Sequence, residues 1–128
     1  MLTYSILPEH SLKVLTYTGQ TSLDEWFQVI ERLRAEPEYS PNDDVLIDVT
    51  EIERHLTRRD LESMVSSGLP TVRYAIVAPR DVSYGIARMF EMIAENSAQH
   101  VVGVFRDWDS ALRWLDRDPQ AVKERLFA

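Results

Sequence analysis

The sequence predicts an α/β fold, a mixed five-stranded sheet with an N-terminal hairpin, then parallel strands, under helical cover in the order ββαβαβαβα. Three observations lead there. Two β-patterned segments near the start are separated by the turn word Pro8-Glu9-His10-Ser11. Three later runs, 45–49, 74–78 and 101–105, are short, nearly all apolar and rich in Val and Ile, as strands covered on both faces are. Between them lie stretches with apolar residues at helical spacing, each preceded by a residue able to cap a helix. A hairpin followed by repeated strand–helix units implies a mixed sheet with packed helices.

The hairpin pairs 3–7 with 12–18. In the second strand Leu12, Val14 and Thr16 alternate with Lys13, Leu15 and Tyr17, so both faces carry apolar residues, and Gly19 is expected to end it. Ser22 and Glu25 form a capping-box word, and Leu23, Trp26, Phe27, Ile30 and Leu33 recur at helical spacing until Pro37. After the turn-rich 39–43 comes the central strand 45–49, in which Asp48 stands out. Thr57 with Asp60 caps the second helix, Leu56 and Leu61 staple it, Leu61, Met64 and Val65 make its inner face, and Gly68 closes it.

Strand 74–78 leads through Pro79-Arg80 to a third helix, with Asp81 as its expected cap and Val82, Ile86, Met89, Phe90 and Ile93 as its apolar stripe. Strand 101–105 follows. Asp107 or Asp109 caps a helix bearing Trp108, Ala111, Leu112 and Leu115, with Trp114 off its flank. Asp118-Pro119 restarts a short helical tail, because Pro favours the first helical position.

Composition bounds the function. The chain has 128 residues, read as one domain over 1–128, with 45% hydrophobic and 27% charged residues, the balance of a globular protein. It has no cysteine, which removes disulfides, thiolate zinc sites and Cys nucleophiles. The net charge is −7, which disfavours nonspecific binding to phosphate backbones, so no nucleic-acid partner is expected. No basic n-region with a long apolar stretch opens the sequence, and no run approaches the roughly 20 residues of a membrane span. The expectation is a cytoplasmic protein with no membrane partner.

Motifs with chemistry are sparse. The histidines, His10, His55 and His100, lack metal-ligand spacing, and no phosphate-loop, dinucleotide or nucleophile-elbow word occurs. No catalytic residue, metal site or cofactor is therefore expected. The ligand-binding candidates are Asp48, Asp81, Tyr84, Gly85 and Arg88, which belong to the carboxyl edge of the sheet, where open α/β sheets bind ligands. Asp48 as a buried carboxylate, Gly85 as a point of close ligand approach and Arg88 as an anion clamp each have a structural reading beside that functional one. Asp48 accepts backbone N–H groups of the following loop, Gly85 permits tight helix–sheet packing, and Arg88 pairs with Asp48 or Asp81. Arg54, His55, Arg58 and Arg59 form a basic cluster that Glu51, Glu53 and Asp60 offset. Trp114 either covers the core edge or anchors a partner, since Trp is enriched at interface hot spots.

The element order and several words resemble bacterial STAS-like domains, relatives of the sporulation anti-sigma-factor antagonist. The run 45–49 resembles that family's central strand. Residues 78–90 (APRDVSYGIARMF) are similar to a segment of a subgroup of small STAS-like proteins, as are Val104-Phe105-Arg106-Asp107 and Ala111-Leu112-Arg113-Trp114-Leu115. The resemblance implies a regulatory or protein-interaction module rather than an enzyme, acting through a protein partner or self-association. Signalling members carry a phosphorylated Ser or Thr in an Asp-Ser-Ser-Gly-like or Asp-Thr-Ser-Gly-like word after the central strand. Here the region reads Arg54-His55-Leu56-Thr57-Arg58-Arg59-Asp60-Leu61, without that word, so no phosphorylation switch is expected. The alternative is a module that holds a small anionic or amphipathic ligand at the carboxyl edge.

Overall fold

The computed structural model describes residues 1–54, 56–96 and 101–127. In chain order its elements are β1 (Leu2–Leu7), β2 (Leu12–Gln20), α1 (Leu23–Arg34), β3 (Asp44–Arg54), α2 (Arg58–Ser66), β4 (Arg73–Val77), α3 (Asp81–Asn96), β5 (Val101–Phe105), α4 (Trp108–Trp114) and α5 (Pro119–Phe127). The fold is α/β, with one five-stranded mixed sheet in the order β1-β2-β3-β4-β5. β1 and β2 are antiparallel, and every later pair is parallel.

Three successive crossovers each step one strand in the same direction. With right-handed connections their helices must all land on the same face. The packing agrees: Trp26, Val29 and Leu33 of α1, Leu61, Met64 and Val65 of α2, and Ala87, Phe90 and Ala94 of α3 share one cluster with Leu15, Tyr17, Val45, Tyr74 and Ile76 of the sheet. The opposite face, with Leu12, Val14, Leu46, Ala75 and Val77, is covered by Ala111, Leu112 and Leu115 of α4 and its end and by Val122 of α5. The sheet is thus apolar on both faces, which is why strands 45–49 and 74–78 read as unbroken hydrophobic runs.

The helix starts follow the cap residues. The Ser22 hydroxyl accepts the Glu25 N–H at 3.1 Å, but the Glu25 carboxylate takes the N–H of Leu2 at 2.6 Å instead of closing the box. Thr57 and Asp60 complete theirs, at 3.1 and 3.0 Å. Asp107 caps α4, and the bonds from the Ser110 N–H and hydroxyl hold its carboxyl below the usual carboxylate range.

Four expectations are corrected. Gly19 does not end β2: at φ +58° it lies in a stretch where the register against β3 shifts, a bulge that a side chain would strain. On α1 the buried position is Val29, and Phe27 is exposed. On α3 the buried line is Ser83, Ala87, Phe90 and Ala94, while Val82 is 66% exposed. Asp81 does not cap α3; it is the first helical residue, and the N–H of Tyr84 bonds to the carbonyl of Arg80 at 2.8 Å. In both helices the apolar stripe is wider than the strip that the sheet covers. No helix among the described residues is long and apolar enough to cross a membrane.

Candidate functional site

The carboxyl edge of the parallel strands gathers the ends of β3, β4 and β5, so residues just beyond them meet there. Asp48 points to the α4–α5 face. Its Oδ1 accepts the N–H of Thr50 at 2.8 Å and the Thr50 hydroxyl, and its Oδ2 accepts Nε1–H of Trp108 at 3.1 Å. The half-buried carboxylate therefore has partners on both oxygens. The expected bond to the following backbone is present; the indole partner, 60 residues away, is not visible in any local pattern.

Arg106 is the hub of the edge. Its Nη1 donates to Asp81 Oδ1 at 2.8 Å and to the carbonyl of Pro79 at 3.0 Å, and its guanidinium lies 4.1 Å above the Tyr84 ring. The cation over an aromatic face, joined to a carboxylate, brings the start of α3 beside the end of β5, an exposed contact that contributes little stability by itself. Asp81 and Tyr84 are thus brought together, but by Arg106 rather than by Arg88.

Two expectations about this edge are overturned. Arg88 pairs with neither Asp48 nor Asp81; it bonds Glu91 at 2.8 Å, one turn along α3, more than half exposed. Gly85 packs against nothing: a Cβ added there would meet no atom within 4 Å, so it allows no close approach. Both lie on the outer surface of α3, away from Asp48. Trp114 is half-buried, its ring 5.4 Å from that of Phe105 and stacked over Gly103, which places it at the core edge. Of the basic cluster, Arg58 pairs with Glu62 at 2.9 Å, whereas the Arg54 side chain and His55 lie outside the described residues.

Between Asp48 and α5 runs an open cleft of about 430 Å³, lined by Asp48, Thr50, Arg106, Trp108, Lys123 and Phe127, among others. The Phe127 ring is 71% exposed and sits 5.9 Å from the Trp108 ring. Lys123 pairs with Asp109. Sequence reasoning missed Arg106, Trp108, Lys123 and Phe127 as parts of this edge. Arg106 to Trp108 follow the last strand directly, a position that the edge rule marks. Lys123 and Phe127 reach the cleft only because α5 folds back over α4.

No protein-family model, no curated protein and no solved structure matches this chain.

The opposite edge of the sheet carries a charge network that sequence reasoning also missed. Asp44 Oδ2 accepts Arg73 Nη2 at 2.9 Å and lies 3.2 Å from Arg117 Nη1, while its Oδ1 accepts the backbone N–H of Arg73 at 3.1 Å. Arg73 reaches on to Asp116 at 2.9 Å and to the carbonyls of Trp114 and Leu115. Arg117 donates to the carbonyls of His10, at 2.7 Å, and Ser11, at 3.0 Å. These contacts stitch the α4–α5 connection to the sheet. No cluster of three or more His, Asp or Glu able to hold a metal ion occurs among the described residues.

Proposed function

We propose that the chain is a non-enzymatic regulatory or protein-interaction module of the STAS-like type, without a phosphorylation switch, that binds its partner at the carboxyl-edge cleft. The observation that carries this reading is the exposed Phe127 ring set against Trp108 on an open cleft flanked by Arg106 and Lys123. Aromatic and Arg side chains dominate interface energetics. The charges around the cleft already hold one another: Arg106 has Asp81, Lys123 has Asp109, and Asp48 has Trp108 and Thr50. Such pairs form a rim and leave the rings as the part that gains from burial.

The STAS-like reading is supported by the strand order, by a leading hairpin, and by three crossover helices on one face. The absence of a switch is supported at Thr57, whose hydroxyl already accepts the Asp60 N–H in a complete capping box.

Sedimentation velocity on the full chain and on Phe127→Ser tests the reading, because the variant removes an exposed ring and leaves the fold intact. The expected result is a complex at tens of micromolar, either with a second copy or with a protein co-purified from the native cells, that Phe127→Ser disrupts. A monomer without partner for both proteins, or a complex indifferent to Phe127→Ser, overturns it.

A further inference from the structure

The outer edge of the sheet, at β1, lies apart from the cleft and carries its own inference. β1 is an end strand and pairs with β2 alone. In an antiparallel pair, opposite residues alternate between exchanging both backbone bonds and exchanging none. Met1 and Thr18 exchange theirs: the Thr18 N–H bonds to the Met1 carbonyl at 2.7 Å, and the Met1 ammonium to the Thr18 carbonyl. The register then runs unbroken to Leu7 opposite Leu12, so Thr3, Ser5 and Leu7 use their backbone groups on β2. Those of Leu2, Tyr4 and Ile6 point out of the sheet. Leu2 shows the phase directly, because Glu25 Oε2 of α1 takes its N–H at 2.6 Å. The outward N–H and C=O groups of Tyr4 and Ile6 have no partner among the described residues.

Sheet edges are usually blunted by Lys, Pro, a bulge or a covering element, because unpaired backbone groups template another strand. Residues 3–7, TYSIL, contain no charge and no Pro, in a chain of which 27% is charged. No bulge interrupts their register against β2. Thr3 and Ser5 are exposed, and Tyr4 and Ile6 are half-buried against the α1 side. Protection sits at the two ends: Glu25 holds the Leu2 N–H, and Pro8 has none. Between them Tyr4 and Ile6 form an open window two residues wide.

We propose that β1 pairs antiparallel with β1 of a second copy about a twofold axis at Ser5, carrying the sheet across both chains. The register follows from the groups left over. With Ser5 opposite Ser5, Tyr4 exchanges both backbone bonds with Ile6 of the second copy, and the twofold repeats the pair. The next outward residue, Leu2, falls opposite Pro8, where one N–H is taken and the other does not exist. Slid two residues one way, Ile6 meets Leu2, whose N–H Glu25 holds; slid the other way, Tyr4 meets Pro8. Both slides lose bonds. The chosen register also sets an aromatic ring beside a β-branched side chain, a favourable cross-strand pair. Charge does not oppose it, although each chain carries −7. Glu36 accepts the Tyr4 hydroxyl at 2.6 Å, and Arg32 acts on the same hydroxyl, so each copy brings one anion and one cation to the axis. Arg32 makes no ion pair within its own chain among the described residues and is free to meet Glu36 of the second copy. One short strand buries an area at the low end of interface sizes, so the pairing is transient and forms above the tens of micromolar at which the cleft complex is expected.

The chain has no cysteine, so a single introduced one reports proximity. Ser5 opposite Ser5 is a pair without backbone bonds, with Cα atoms about 4.5 Å apart, within reach of a disulfide. Thr3, exposed on the same face, is displaced from Thr3 of the second copy by about 13 Å along the strand, out of reach. The full chains Ser5→Cys and Thr3→Cys, at about 1 mM, are oxidised in a glutathione buffer and resolved without reductant. Ser5→Cys is expected to form the disulfide dimer at least roughly tenfold faster than Thr3→Cys. Adding Phe127→Ser should leave that rate unchanged, which separates this contact from the cleft. In the unsubstituted chain the Tyr4 and Ile6 amide resonances should move with concentration between about 0.05 and 1 mM, and Ser5→Lys, which sets like charges opposite each other at an exposed position, should hold them still. Equal oxidation rates for the two cysteine variants, Tyr4 and Ile6 amides that do not respond to concentration, or a response that persists in Ser5→Lys overturns the proposal.

Discussion

Replacing Asp44 by Ala should be among the most damaging single changes outside the apolar core. Its side chain accepts from the Arg73 guanidinium at 2.9 Å and the Arg73 N–H at 3.1 Å, and it lies 3.2 Å from Arg117. Removing one member of a buried ion pair typically costs about 3–5 kcal/mol, because the partner stays buried without compensation. Here the cost falls below that range for two reasons. Arg73 is 34% exposed at its side chain and keeps Asp116 and two carbonyls. Arg117 keeps the carbonyls of His10 and Ser11. The expected loss is about 2–3 kcal/mol, made up of one backbone N–H left unpaired and two weakened charge contacts. Asp44→Asn keeps an acceptor for the Arg73 N–H and should cost about 1–2 kcal/mol. Urea denaturation measures both, as a lowered midpoint at constant slope. A double-mutant cycle with Arg73→Met should show coupling of about 1 kcal/mol or more. An Asp44→Ala midpoint within about 0.5 kcal/mol of wild type would refute the view that this network fastens the α4–α5 connection to the sheet.

Three other outcomes are expected. Thr57→Ala should destabilise by about 1 kcal/mol, since it dissolves a complete capping box; an unchanged midpoint would mean that the cap is not formed in solution. Gly103→Ala should lower the melting temperature, because its Cβ would lie 2.8 Å from the Phe105 ring and 3.2 Å from Trp114. Overpacking of this kind costs about 1–3 kcal/mol and outweighs the roughly 0.5–1 kcal/mol that Ala gains over Gly in a strand. Arg88→Ala should melt within about 0.5 kcal/mol of wild type, as an exposed pair with Glu91 contributes little; a loss above about 2 kcal/mol would place Arg88 in a buried pair after all.

The strands were legible because a sheet covered on both faces leaves no polar alternation, so 45–49, 74–78 and 101–105 stand out as apolar runs. The helix starts at Ser22 and Thr57 were legible, and that of α4 was narrowed to Asp107 or Asp109, because a cap is a local device, with its partner three residues on. The helix faces were read less well. Phe27 and Val82 fit the period of their helices as well as Val29 and Ser83 do, and only the width of the sheet decides which of them it covers.

The candidate site shows the same division. Asp48, Asp81 and Tyr84 were found at the carboxyl edge by a topological rule that needs only strand ends. Gly85 and Arg88 were assigned to it with them, although helical rotation turns them to the outside. The groups that organise the two edges are joined over long sequence distances: Trp108 to Asp48 across 60 residues, Arg106 to Asp81 across 25, Arg73 to Asp44 across 29, and Arg117 to His10 across 107. No period or motif records such pairs. Burial of Lys13 is likewise decided by α1 and by the connection at Tyr39 and Ser40, neither of which adjoins it in sequence.

The central claim, that the chain acts by binding a protein rather than by catalysis or a phosphorylation switch, is tested most directly by native mass spectrometry of the full chain isolated from its own cells. The account predicts a chain without phosphate on Thr57, present in a complex with a second copy or with another protein. A monomer of unbound chain, or stoichiometric phosphate on Thr57, would contradict it.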